Sequence, residues 1–190
     1  IPEPFSDKRM IIPKFSFFSR PVSNTIPSKE INLIDAYSLI ISDDYEVNTN
    51  RLRKIGEKSE ARKFKAANFD YVTFSGIFSK RSDNGLLKHS GLITIDFDHL
   101  ASVEELKQQL LDDRYFETEL LFCSPSGDGL KWIIPIDLTQ GSHLDNFRAI
   151  ASYISQIYGL EVDSSGKDIS RACFLPCDPN CYINPKYLNQ

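Results

Sequence analysis

The sequence predicts an α+β domain whose centre is a split β-α-β-β-α-β core with an antiparallel sheet, between residues 91 and 175. Three short apolar runs have the alternation or the length of strands, and two longer runs repeat their apolar residues every three to four positions, as helices do. Turn-forming residues separate these runs. The order of the runs therefore predicts the core, which has the arrangement of ferredoxin-like and RNA-recognition (RRM) folds.

The first strand and the first helix of this core have strong local signals. Residues 92–98 alternate in polarity, which places Asp96 and Asp98 on the face opposite three apolar side chains. Ser102 is a helix N-cap, and Glu105 completes a capping-box pattern. Because the two helices cover only one face of such a sheet, we expect the face with the aspartates to be open.

The second half of the core follows the same logic. A helix is expected to begin at Gly141-Ser142 and to end at Gly159, a residue type that adopts the left-handed conformation at helix ends. The other expected elements are a strand at 119–123, a turn at 124–129, a strand at 130–136 and a final strand at 172–175.

The part before the core is predicted less regularly. Five prolines in residues 1–29 indicate an extended arm that lies on the domain. Residues 30–75 predict two helical stretches, the second at about 49–66, and a strand at 71–75. We interpret residues 1–190 as one domain. Since the first residue is Ile1 and not Met, we expect a fragment of a longer protein.

Composition excludes several classes of protein. Hydrophobic residues make up 41% and charged residues 25% of the chain, which is typical of a globular protein. No apolar run approaches the ~20 residues of a membrane span. The net charge of −4 gives no global basic field, but residues 51–65 contain seven Lys or Arg against two Glu. That run indicates either the solvated face of a helix or a phosphate-contacting surface.

Cysteine usage favours a reducing, cytoplasmic location, because four cysteines are too few to replace a core. Cys173, Cys177 and Cys181 recur every fourth residue, which is not the pairing of common zinc modules, and two prolines interrupt any helix that would align them. We interpret them as free thiols.

Paired carboxylates are the main sign of chemistry. Asp96 and Asp98, two apart on a strand, have Cβ atoms roughly 7 Å apart on one face. Such a pair suits a hard divalent cation, Mg²⁺ or Mn²⁺, and Asp163 can supply a third carboxylate. The alternative is that Asp98 ends the strand and Asp96 faces solvent.

Two loops offer phosphate-binding groups. Ser124, Ser126, Gly127 and Gly129 lie in a turn whose backbone amides can form an anion nest, and Lys131 follows it. The alternative is a polar hairpin turn with an exposed lysine. Near the last strand, Arg171 can bind phosphate oxygens with its planar guanidinium, and Asp168 lies in the same Ser- and Gly-rich loop, although such loops are also ordinary surface turns.

Four spaced motifs together resemble the VirE amino-terminal domain family, which is itself similar to the archaeo-eukaryotic primase (prim-pol) superfamily. The resemblance covers most of residues 13–188. The matching residues are Ser75-Gly76 with Phe78 and Arg81, His89–Ile93 leading into Ile95–Asp98, Ser124–Gly127 with Gly129–Lys131, and Asp163 with Ser165–Arg171.

The resemblance implies a prim-pol-like fold in the N-terminal part of a longer bacterial protein linked to mobile elements, with a further domain downstream. It implies Asp96, Asp98 and Asp163 as metal ligands, with Mg²⁺ or Mn²⁺ as cofactor. It implies Ser126 and Gly127 as the phosphate turn and Arg171 as a nucleotide contact. The sequence departs at Lys131, which stands where the family pattern ends in His; a lysine binds phosphate as a point charge instead.

The leading hypothesis is therefore a primase-polymerase-like domain that binds a nucleoside triphosphate for nucleotidyl transfer in replication of a mobile element. A catalytically inactive module that binds nucleic acid or a partner and positions a downstream helicase-type domain is the main alternative. A nucleotidyl cyclase-like enzyme is a further one. The expected nucleic-acid contacts are Arg53, Lys54, Arg62, Lys65, Lys80 and Arg81.

Overall fold

The structure is a computed structural model that describes residues 10–189. It contains ten strands and five α-helices in the described part. The strands are β1 Lys14–Phe18, β2 Lys29–Asn32, β3 Tyr71–Thr73, β4 Gly76–Phe78, β5 Leu86–His89, β6 Leu92–Phe97, β7 Leu120–Cys123, β8 Leu130–Pro135, β9 Cys173–Phe174 and β10 Tyr182–Ile183. The helices are α1 Leu33–Ile41, α2 Glu46–Arg53, α3 Lys58–Asn68, α4 Val103–Leu111 and α5 His143–Tyr158.

The fold is α+β, as predicted, and its strands pair antiparallel. One sheet has the order β10-β7-β8-β6, a second has the order β2-β1-β3-β9, and β4 and β5 form a separate hairpin. The order β6-α4-β7-β8-α5 follows the sequence prediction. The last strand does not complete the split arrangement, because β9 pairs with β3 in the second sheet.

The free edge of β6 is covered by a turn in place of a strand. The amide of Asp163 donates to the carbonyl of Asp96 over 3.0 Å. Three residues later, Gly166 passes so close to Thr94 that a Cβ there would lie 2.9 Å from the Thr94 carbonyl oxygen. This turn occupies the edge of β6 where a further strand would pair. The last predicted strand, β9, therefore pairs in the other sheet.

Helices α4 and α5 have the predicted ends. The Ser102 hydroxyl accepts from the Glu105 amide, and Ser142 and Asp145 form a reciprocal capping box. Gly159 ends α5 with φ 65°, a conformation that costs a glycine little. Both helices pack on one face of the β6 sheet, where Trp132 and Phe97 are fully buried.

The opposite face of this sheet is covered, not open as we expected. Phe122 and Ile133 on that face share an apolar cluster with Phe15, Val72 and α1 residues from the N-terminal half. The segment predicted as an arm supplies much of this cover, because β1 is an inner strand of the second sheet with Phe15 and Phe18 fully buried. Residues 1–9 of that segment lie outside the described residues. The polar side chains of β6 consequently point between two layers.

The stretch predicted as one helix over about 49–66 is two helices, α2 and α3, separated at Gly56. The four cysteines are free thiols, with Cys173 and Cys181 buried. Within the part of the chain that the structure describes, no helix is long and apolar enough to cross a membrane.

Candidate functional site

Asp96 sits near the end of β6 and is buried, with 1% of its surface exposed. The β6–β8 register places it directly opposite Lys131, whose Nζ lies 2.8 Å from Oδ1 of Asp96. The guanidinium of Arg171 contacts the other oxygen, Oδ2. Both cations are thus held on one buried carboxylate.

Burial alone would lower the pKa of the Lys131 ammonium, but the adjacent Asp96 carboxylate reverses this, so that its pKa is raised. Arg171 has the same balance of burial against Asp96. Lys131 lies off the direction of a hydrogen bond to Oδ1, and this oxygen has no hydrogen-bond partner among the described residues. The charge on this buried oxygen of Asp96 is therefore compensated by its ion pair with Lys131.

Asp98 and Asp163 form a second group beside Asp96. Asp98 follows β6 and is exposed, whereas Asp163 caps the short 3-10 turn Ser164–Lys167 through the Ser165 amide and hydroxyl. The two carboxyl groups lie beside each other, and Oδ2 of Asp163 lies 3.7 Å from Arg171. The predicted carboxylates, distant in sequence, are thus brought together.

The two partners of this pair have opposite pKa shifts. Partial burial and then the charges of Asp96 and Asp163 raise the pKa of Asp98, against the influence of Lys131. Burial works to raise the pKa of Asp163, but hydrogen bonds from Ser165 and the charge of Arg171 lower it. Two carboxyl groups this close repel each other when both are ionised, and a cation placed between them would relieve that repulsion.

Asp98 and Asp163 fit a divalent cation, since Mg²⁺ is usually bound by one or two carboxylates together with substrate phosphates. Asp96 fits less well in this arrangement because Lys131 and Arg171 occupy its two oxygens. Among the described residues, no group of three or more His, Cys, Asp or Glu has the spacing of a metal site. The assignment of all three aspartates as ligands stays a prediction.

The loop 124–129 lies at the ends of β7 and β8. The Gly127 amide, at a φ of 90°, donates to the carbonyl of Ser124, and the Gly129 amide donates to the Ser124 hydroxyl. Both glycine amides are therefore used within the loop and do not point to a common anion. Ser126 is exposed, and Gly129 is pressed against β6, where a Cβ would lie 2.4 Å from the Phe97 carbonyl oxygen.

The expected nucleic-acid contacts are spread over several surroundings. Arg53 is exposed, but its guanidinium also donates to the carbonyls of Ser124 and Pro125 and so supports the loop. Arg81 stacks on Tyr71 and donates to its hydroxyl. Lys54, Arg62 and Lys80 are exposed. Lys65 is half-buried at the end of α3, close to Lys131 and Arg171.

Two histidines near the site were not singled out by their sequence pattern. The Gly91 amide donates to Nδ1 of His89, so that His89 Nε2 must donate to Nδ1 of His143, 3.1 Å away. His143 Nε2 then donates to the carbonyl of Gly166. His89 was named only as the first residue of the second motif, and the one signal at His143 was its position directly after the Ser142 cap.

The motifs are connected through hydroxyl groups as well. The Ser75 hydroxyl donates to the carbonyl of Ile169, and Ser90 donates to the carbonyl of Phe74. Ser75, Asp168 and Arg171 line a small cavity beside Asp96's face of the sheet. Asp168 itself is exposed.

A larger cavity of about 370 Å³ lies elsewhere, at Arg114, Tyr115 and Asn184, and includes none of the predicted site residues.

The fold and site define an α+β domain in which acidic and basic side chains from four segments gather at the end of the edge strand β6. Residues 63–183 match the family model described as BT4734-like, N-terminal domain. The chain therefore belongs to the BT4734-like N-terminal domain family. Comparisons with curated proteins and with solved structures found no significant match.

Proposed function

We propose that this chain is a primase-polymerase-like domain that binds a nucleoside triphosphate with a divalent metal and transfers its nucleotidyl group in replication. The observation that carries the proposal is that the carboxyl groups of Asp98 and Asp163 lie beside each other, next to Arg171 and Lys131. Acidic groups for a cation and basic groups for phosphates at one point are what phosphoryl transfer to a hydroxyl requires.

The chemistry asks for little covalent work from the protein. The 3′ hydroxyl oxygen of a strand forms a bond to the α-phosphorus, its proton is lost, and the bond to the pyrophosphate breaks. Asp98 and Asp163 would hold Mg²⁺ or Mn²⁺, which supplies charge neutralisation for the attacking and leaving oxygens. Lys131 and Arg171 provide fixed positive charges for phosphate oxygens. Their position opposite Asp96 keeps both side chains oriented before the substrate binds.

Family relationships support the same proposal. The four motifs resemble those of VirE amino-terminal domains and of the prim-pol superfamily, and the matched range, residues 63–183, includes all four. Lys131 stands in place of the usual His, and its ion pair with Asp96 gives it a fixed position in the site. On this basis we propose a lysine-containing variant of the prim-pol nucleotide site.

The test is metal-dependent incorporation of a labelled nucleotide into a primed or unprimed template. Asp98→Asn and Asp163→Asn are each expected to lower the rate by ~100-fold or more, as loss of metal-supporting groups does. Asp128→Asn is the matched control, because Asp128 is an exposed aspartate on the neighbouring loop. Mn²⁺-dependent nucleotide binding that survives the Asp98→Asn, Asp163→Asn double change would show that the metal assignment is wrong.

One observation favours a second candidate, a non-catalytic module that binds nucleic acid or a partner and positions a downstream domain. Asp96 is locked between Lys131 and Arg171, which a structural ion-pair network would also produce. Failure of nucleotide incorporation with every divalent metal, together with retained binding of a single-stranded oligonucleotide, would select this candidate. A cyclic product formed from triphosphate alone would instead indicate a cyclase.

A further inference from the structure

Lys65 lies in the last turn of α3, and its position is fixed by the structure around it. Its Nζ stands 5.8 Å from the centroid of the Phe174 ring, on β9. The end of α3 is anchored because the carbonyl of Asn68 accepts from Asn48 and from Arg20. The Lys65 ammonium is therefore brought to the site by a well-supported helix end.

This ammonium has no carboxylate within 4 Å among the described residues, whereas Lys131 and Arg171 both have Asp96. Burial, then the charges of Lys131 and Arg171, lower the pKa of Lys65, and Asp98 offsets only part of this. Cys173 is buried close to all three cations. Burial raises the pKa of its thiol to about 12, and the three positive charges oppose this rise. A partly buried cation next to other cations costs free energy unless an anion compensates it.

We propose that Lys65, Lys131 and Arg171 together bind the polyphosphate chain of a nucleoside triphosphate, so that α3 contributes to the nucleotide site. This inference rests on the proposed function and deepens it, because Lys65 moves from the template surface, where its sequence context placed it, to the substrate. Lys131 and Arg171 are largely buried, lie on different elements from Lys65 and are close enough for their charges to act on it. Cations that converge on one point suit a compact polyphosphate better than the repeating phosphates of a strand.

Lys131 and Arg171 both contact the Asp96 carboxylate, whereas Lys65 has no ion-pair partner among the described residues. A polyphosphate offers a separate oxygen to each of the three cations, and each oxygen can accept a charge-assisted hydrogen bond. Arg62, one turn earlier on α3 and exposed, extends the same positive surface.

The experiment uses the whole chain and inorganic tripolyphosphate without metal, with affinity measured by titration calorimetry. Lys65→Gln is expected to weaken binding about tenfold, a loss typical of one charge-assisted hydrogen bond, and Lys65→Arg is expected to retain it. Lys63→Gln is the matched control, since Lys63 is exposed on the same helix. Tripolyphosphate should also raise the Tm of the unchanged chain and of Lys63→Gln, but much less that of Lys65→Gln.

Three results would overturn the inference: no binding of tripolyphosphate by the unchanged chain, equal binding by Lys65→Gln, or a Lys65→Gln defect confined to single-stranded oligonucleotide binding. Failure of the proposed function has a different signature. In that case nucleotide incorporation is absent, or insensitive to Asp98→Asn and Asp163→Asn, while the effect of Lys65→Gln on tripolyphosphate persists.

Discussion

Asp96 and Asp98 lie two positions apart at the end of β6 but have opposite electrostatic surroundings. Asp96 is buried and compensates two cations, whereas Asp98 is exposed and lies beside Asp163. The former is needed for the fold because its loss leaves Lys131 with no ion-pair partner among the described residues and Arg171 with only Asp163, 3.7 Å away. The latter is available for ligands.

We therefore expect Asp96→Asn to lower the free energy of unfolding by about 3–5 kcal/mol, the usual cost of breaking a buried ion pair. Asp98→Asn is expected to leave stability unchanged or slightly higher, because it removes a carboxylate whose pKa is raised by its neighbours. Urea denaturation followed by circular dichroism measures both. Equal effects of the two variants would contradict these separate roles.

The hydrogen-bonded chain from Gly91 through His89 and His143 to Gly166 requires both rings to be neutral. Burial, and then His143, lowers the pKa of His89 to about 4, and burial lowers that of His143 despite Gly166 and Asp168. The unfolded chain binds these protons near pH 6.5, the folded chain only at lower pH. The histidines thus contribute stability above pH 6.5 that is lost as the pH falls towards 4.

Replacement of both histidines, His89→Gln with His143→Gln, should flatten the fall of unfolding free energy between pH 6.5 and 4. His99→Asn is the control, because His99 is exposed and sits at a φ of 54°, which asparagine tolerates. Denaturation curves at several pH values provide the measurement. If the double variant keeps the slope of the unchanged chain, the proton linkage lies elsewhere.

The sequence predicted which side chains share a face of β6 better than it predicted the partners of those side chains. The alternation of residues 92–98 indicated that Asp96 and Asp98 share a face, and turn composition singled out Asp163 and Arg171. The partner of Asp96 depends on the β6–β8 register, which pairs it with Lys131. Register is set by long-range pairing and turn geometry, and local patterns do not contain it.

Among the elements, the loop 124–129 depends on a distant helix. Arg53 at the end of α2 donates to the carbonyls of Ser124 and Pro125, and a Cβ on Gly127 would lie 3.0 Å from its Nε. The basic run of residues 51–65 suggested phosphate contacts for this arginine. Its contacts instead indicate a positioning residue that holds the loop against β8.

Arg53→Ala should therefore loosen the loop without unfolding the chain. We expect faster amide hydrogen exchange in residues 124–129 and a several-fold higher KM for nucleotide, because loss of hydrogen bonds to a charged group costs about 1–3 kcal/mol. Arg51→Ala, an exposed arginine on the same helix, serves as the control. An unchanged exchange pattern in the loop would rule out the positioning role.

Elements with complete local signals were predicted closely, and elements that depend on distant partners were not. The capping residues Ser102 and Ser142 and the terminal Gly159 specify α4 and α5 within a few residues of sequence. Strand β9 was expected near its true position, but its pairing with β3 follows from the covered edge of β6. No local sequence pattern indicates that a turn covers this edge of β6.

On the scale of the whole molecule, the largest difference from the sequence prediction is the second sheet. Prolines before and after β1 suggested an arm, although Phe15 and Phe17 alternate as in a strand. In the structure β1 pairs with both β2 and β3 and supplies buried aromatic side chains to the cluster between the sheets. Strand pairing between such distant segments is decided by tertiary packing, which overrides local propensity.

The matched family range begins at residue 63, but the cluster that covers the Asp96 face also needs residues 14–41. A fragment of residues 63–190 would lose β1, β2, α1, α2 and the start of α3, and it would expose the apolar side chains that they bury. We expect this fragment to aggregate or to lack a cooperative thermal transition.

Phe15→Ala in the whole chain should lower the free energy of unfolding by about 3–5 kcal/mol, whereas Ile11→Ser, at an 89% exposed side chain, should have almost no effect. Calorimetry and circular dichroism compare the four proteins, and a fragment that unfolds cooperatively near the Tm of the whole chain would show that the N-terminal sheet is dispensable.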